Sequence, residues 1–131
     1  MRMKIILAPD SYKECLPAQD VAAAMAAAVR ASCPDAEVVE LPLADGGEGT
    51  ATILTHALGG EMVRIPVTGP LGSPVRASYG IAGKTAVIEV AAACGLSLVP
   101  AKRRNPLLAT SRGVGELMKD AALRGCERIL I

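Results

Sequence analysis

Glu37-Val38-Val39-Glu40-Leu41-Pro42-Leu43-Ala44-Asp45-Gly46-Gly47-Glu48-Gly49-Thr50 is the stretch that decides the fold. An apolar run, residues 37–41, leads in, and a helix-like pattern, residues 50–58, leads out. Three glycines and two carboxylates stand between them, within residues 45–50. Glycines allow positive φ and let a ligand approach the peptide N–H groups. The start of a helix leaves those N–H groups unpaired and favours anions. Two acids there would repel a bare phosphate, so the pattern points to a metal-bound phosphate or to a base acting on a hydroxyl. The plain alternative is a solvated connection with a capping Asp.

Upstream the same order repeats. Residues 3–8 read as a buried strand stopped by Pro9, followed by the polar loop Asp10-Ser11-Tyr12-Lys13-Glu14. Pro17 opens a helix, with Val21, Ala24, Met25, Ala28 and Val29 as its apolar stripe. A β-α-β-α order implies a parallel sheet with right-handed crossovers. Both polar loops then follow strand ends and lie on the carboxyl edge, where open α/β sheets bind ligands. Asp10, Ser11, Lys13, Asp45 and Glu48 are the side chains expected to converge there.

The middle of the chain changes period. Val63, Ile65 and Val67 alternate with other residues, as do Val75, Ala77, Tyr79 and Ile81. Turn chemistry separates these runs, and a third follows over residues 85–90, an antiparallel meander. Glu89 sits in that last expected strand, facing either the core or a crevice. Residues 100–106 form a basic, proline-bounded linker. A helix follows, with Ser111 as candidate N-cap and Arg112 as a candidate carboxylate or phosphate ligand. Residues 128–131 read as another buried parallel strand. The expected fold class is α/β: a parallel-sheet, Rossmann-like lobe from residues 1–60 and 106–131, with an inserted, mostly antiparallel α+β lobe at 61–105.

Composition excludes several classes. The 131 residues are 51% hydrophobic but only 2% aromatic, so the core is aliphatic. A net charge of +1 offers no field for nucleic acid. No run is long enough to span a membrane. Cys15, Cys33, Cys94 and Cys126 form no C-x-x-C pair, which argues against zinc and for reduced thiols in the cytoplasm. Neither G-x-x-x-x-G-K-[ST] nor G-x-G-x-x-G is present.

Five motifs taken in order carry more. Ala8-Pro9-Asp10-Ser11-Tyr12-Lys13-Glu14, Ala44-Asp45-Gly46-Gly47-Glu48-Gly49-Thr50, Val67-Thr68-Gly69-Pro70-Leu71-Gly72, Ile88-Glu89-Val90-Ala91-Ala92-Ala93-Cys94-Gly95-Leu96 and Asn105-Pro106-Leu107 with Thr110-Ser111-Arg112-Gly113-Val114-Gly115-Glu116-Leu117 closely resemble the bacterial type 1 glycerate kinases. The resemblance spans the whole chain. It implies ATP-dependent phosphorylation of D-glycerate, giving 2-phosphoglycerate, with Mg2+ bridging the ATP phosphates in a cleft between two lobes. It departs at Cys15 and Cys94, where the family often has Ser, and at Val114, where it often has Thr.

The family chain also runs further, its next glycine-rich loop falling beyond Ile131. The sequence thus looks like the N-terminal portion only, truncated on an apolar strand that should self-associate. The resemblance implies roles. Asp45 is the candidate base or Mg2+ ligand, with Glu48 the second acid, and Lys13 neutralises phosphate or carboxylate. The loop of Gly46, Gly47, Gly49 and Thr50 holds an anion. Arg112 binds the glycerate carboxylate, and Asp10, Ser11, Glu89 and Ser111 complete the substrate contacts. The competing reading is a non-catalytic small-acid module that has lost the nucleotide half.

Overall fold

The structure, a computed structural model, describes residues 2–12 and 15–131. The chain divides into two compact units, Met1–Ile53 and Leu54–Ile131.

The first unit is a β-α-β crossover. β1 (Lys4–Leu7) and β2 (Glu37–Glu40) pair in parallel, Lys4 opposite Glu37 and Leu7 opposite Glu40. The ladder continues past the strand ends. Leu41 N–H donates to Leu7 C=O at 2.8 Å, and Leu43 N–H to Pro9 C=O at 2.9 Å. The segments carrying Asp10 and Asp45 therefore leave the sheet side by side. α1 (Ala18–Ser32) packs on both strands. It buries Ala18, Val21, Ala22 and Ala26; of the expected stripe Val21 is buried and Val29 half-buried, whereas Ala24, Met25 and Ala28 are exposed. Both stripes satisfy the helical period in so alanine-rich a segment. The face of small side chains wins because it lets the helix lie close to the strands.

The second unit is a four-stranded sheet of order β3-β4-β5-β6, comprising Glu61–Thr68, Pro74–Ala82, Thr85–Val87 and Arg128–Leu130. The first three strands form the antiparallel meander. Pro66 breaks no ladder because β3 is an edge strand. Gly83, at φ 56°, makes the tight turn from β4 to β5. The pairing departs from expectation at β6. It runs parallel to β5, Thr85 opposite Arg128, inside this sheet and not beside β1 and β2. Its apolar residues fit either sheet. The β5 edge is the one that α4 (Arg112–Leu123) returns the chain to, with Glu127 N–H donating to Lys84 C=O at 2.8 Å. β5 is also shorter than expected: Glu89 lies outside it, at the N-cap of the five-residue helix α3 (Val90–Cys94).

The core of this unit is Val67, Ala77, Tyr79, Ala86, Ile88, Ala93, Val114, Leu117 and Ala121. Tyr79 and Leu117 are completely buried, each stabilising by about 1.5–3 kcal/mol. Gly113 brings α4 against the end of β3. A Cβ there would fall 2.2 Å from the Thr68 carbonyl oxygen, so only glycine permits that contact. The basic linker winds through short 3-10 turns, and residues 101–110 are all exposed.

Candidate functional site

In the first unit, the loop after β1 and the loop after β2 enclose a pocket of about 320 Å³. One wall includes Ser11, Tyr12, Cys15 and Leu16, and Pro17, Ala18 and Gln19 open α1 below it. Glu48, Gly49 and Ile53 form the other wall. Tyr12 and Leu16 exchange N–H to C=O bonds at 2.9 and 3.0 Å, and Cys15 N–H also donates to Tyr12 C=O. Pro17 caps α1 in an extended conformation with no side-chain bond to the first turn. The first intrahelical donor is Val21, bonding to Pro17 C=O. The amides of Ala18 and Gln19 belong to the unpaired positive end of a fifteen-residue helix.

The second loop is organised around Asp45. Its Oδ1 accepts the Gly47 N–H at 2.9 Å, and Thr50 Oγ1 donates to Gly47 C=O at 2.8 Å. Gly46 and Gly49 take φ of 101° and 92°, which favours glycine strongly. The loop was expected to offer its amides to an anion, but Gly47 spends its own on Asp45. The helix start that opens into the pocket is that of α1. Of the expected residues the pocket joins Ser11, Glu48 and Gly49, while Asp10, Asp45, Gly46 and Gly47 stand in the same two loops and Thr50 opens α2 (Thr50–Ala57). Asp10 turns back on its chain, Oδ1 accepting the Ser11 N–H at 2.6 Å. Lys13 lies outside the described residues. Among the described residues no three His, Cys, Asp or Glu side chains converge on a common point. Mg2+ bound with phosphates needs only one or two carboxylates, and the exposed Asp45 and Glu48 suit that requirement.

Glu89, Ser111 and Arg112 belong to the second unit. Glu89 is half-buried. Ser111 precedes α4 but makes no side-chain cap; Thr110 Oγ1 accepts the Arg112 N–H instead, at 3.1 Å. Arg112 Nε donates to Glu116 Oε1 at 2.9 Å. Glu116 also accepts the Thr68 hydroxyl on Oε1 at 2.9 Å and the Thr68 N–H on Oε2 at 2.6 Å. The Thr68 amide, then its hydroxyl, and more weakly Arg112, hold the Glu116 carboxyl below the usual range. One helical turn on, Asp120 accepts the Tyr79 hydroxyl at 2.6 Å and Arg124 Nε at 2.7 Å. Burial and that bond push the Tyr79 phenol well up, and the same bond leads in holding Asp120 down. Glu116, Thr68, Tyr12 and Gln19 were not foreseen. The spacing of Arg112 and Glu116 was the one sequence signal available for any of them.

Fold and pocket together define an α/β protein with a candidate small-ligand site at the carboxyl ends of its parallel strands. The chain belongs to the glycerate kinase family, whose model it matches over residues 5–131. It is 53% identical to glycerate 2-kinase of Escherichia coli and 52% identical to glycerate kinase of Bacillus subtilis, over 98% of its own length in each case. It also superposes at a TM-score of 0.81, with 50% identity, on 35% of a crystal structure from Salmonella typhimurium LT2 taken to be a glycerate kinase 2. The chain spans 34% of the length of both curated relatives. Among the described residues no helix is long and apolar enough to cross a membrane.

Proposed function

We propose that this chain carries part of the active site of a kinase that transfers phosphate from Mg-ATP to D-glycerate. The observation that carries the proposal is the pocket at the ends of β1 and β2, where Ser11 meets Glu48 and Gly49 beside the open start of α1. A small anionic polyol suits such a site: the helix end favours its carboxylate, and a loop acid can orient or deprotonate a hydroxyl. Glu48 is the acid that lines the pocket, and Asp45, in the same loop, is the base or Mg2+ ligand. Mg2+, held through phosphate oxygens and these carboxylates, would neutralise charge on the donor. Four unpaired thiols fit a reducing compartment such as the cytoplasm.

Cys15 gives a direct test in the chain itself. It lines the pocket, whereas Cys33 is exposed at the opposite end of the sheet. D-glycerate should slow alkylation of Cys15 and leave Cys33 unaffected; equal rates at Cys15 with and without glycerate would remove the pocket from substrate binding. For turnover, residues 1–131 should replace the matching part of the Bacillus subtilis kinase, with ADP release as the readout. We expect activity within about tenfold of the parent. The 131 residues alone should give no turnover. Aligning donor and acceptor supplies about 7–11 kcal/mol of such a barrier, and no nucleotide signature lies among them.

A further inference from the structure

Arg112 is fixed at both ends. Its backbone N–H donates to Thr110 Oγ1 at 3.1 Å, and Thr110 N–H in turn donates to Pro70 C=O at 2.9 Å. Among the described residues its guanidinium is held through Nε, by a Glu116 oxygen at 2.9 Å. Glu116 is itself anchored to Thr68, 48 residues away, by two bonds from the amide and the hydroxyl. Gly113, lacking a side chain, lets the start of α4 lie directly against the Thr68 carbonyl. Yet the Arg112 side chain remains 74% exposed, and among the described residues nothing bonds to its two terminal nitrogens. Ordering a long exposed side chain loses rotamer entropy that a surface ion pair barely returns. A guanidinium anchored through Nε presents its remaining donors outward, the fork geometry that takes a carboxylate or phosphate in two parallel bonds.

We infer that Glu116 is a positioning residue, which aims the Arg112 guanidinium at an anionic oxygen pair of a reactant. The inference rests on the reading of Arg112 as an anion ligand and deepens it. Electrostatics makes the opposite prediction. A carboxylate beside an arginine repels an incoming anion, so if Glu116 merely neutralised Arg112, removing its charge would tighten binding.

The test observes the Arg112 Nε–H resonance by NMR in the full 131-residue chain, titrated with inorganic phosphate and with D-glycerate. Both, or one, should shift that resonance, and Glu116→Gln should weaken the binding about tenfold, a loss of about 1.4 kcal/mol. Arg124→Lys, on a similar ion pair further along α4, should change nothing. If Glu116→Gln binds as well as the unsubstituted chain, or better, Glu116 positions nothing and the inference falls while Arg112 stands as a ligand. If neither anion perturbs Arg112, both readings fall. Should Glu116→Gln lose its fold, Thr68→Val removes one bond to the carboxylate but keeps its charge. It should weaken binding in the same direction by a smaller factor, and unchanged affinity there would overturn the inference.

Discussion

At the scale of single residues, substitutions at Asp45 test chemistry apart from structure. Its Oδ1 holds the Gly47 N–H, a bond contributing about 0.5–1.5 kcal/mol, and the side chain is otherwise exposed. Asp45→Asn keeps an acceptor oxygen for that N–H but removes the charge. In the chimeric kinase its stability should stay within about 0.5 kcal/mol of the parent. Turnover should fall by about a hundredfold or more, the span of a lost general base. A variant with unchanged kcat and unchanged Mg2+ dependence would exclude Asp45 from the reaction. Asp45→Ala, by contrast, should lower both, because the loop loses the bond that shapes it.

Among the elements, α4 ties one helix edge to two strands of the second unit. Asp120 and Glu116 point from one edge of the helix to β4 and β3, and each also binds an arginine four positions away. Tyr79→Phe deletes the leading hydrogen bond of Asp120 and should cost about 1–3 kcal/mol near neutral pH, read as a lower denaturation midpoint. The folded state holds Asp120 below its ordinary value. That contribution is therefore complete above about pH 4 and disappears as pH falls through the folded-state value. Tyr79 is shifted upward, so its share is complete below about pH 10 and disappears as pH rises beyond it. The gap between Tyr79→Phe and the parent should thus be widest between those limits and narrow on both sides. A gap that stays constant down to acid pH would deny the bond its role. Neither clamp was legible in the sequence as a contact with the sheet. Glu116 and Asp120 read as polar positions on an amphipathic helix, and only the fold says that Thr68 and Tyr79 face them. The strands, the helices and the two loaded loops were legible because each is written in local periodicity and turn residues. The buried stripe of α1 was misread because alanine marks both of its faces alike. The partner of β6 was not legible, since an apolar strand specifies burial and not which edge it joins.

At the scale of the whole molecule, the second unit mixes near and distant pairings. β3, β4 and β5 are joined by short turns, whereas β6 pairs with a strand 43 positions earlier. Closing so long a loop costs more entropy than closing a hairpin, so the meander should be in place before β6 arrives. Val67→Ala, in the β3–β4 hairpin, should slow folding, with φ above about 0.5. Ile129→Ala should instead speed unfolding and leave the folding rate nearly unchanged, with φ below about 0.3. Tyr79 fluorescence in a Tyr12→Phe background would follow both, and the reverse order of φ values would contradict this sequence of events. The parallel seam between β5 and β6 then has a meaning during synthesis. At about 5–20 residues per second, roughly 2–9 s separate the emergence of the two strands from the ribosome. For that interval the open side of β5 can recruit a strand from a neighbouring nascent chain as readily as its own. The yield of correctly assembled protein should therefore depend on how fast, and how crowded, its translation is.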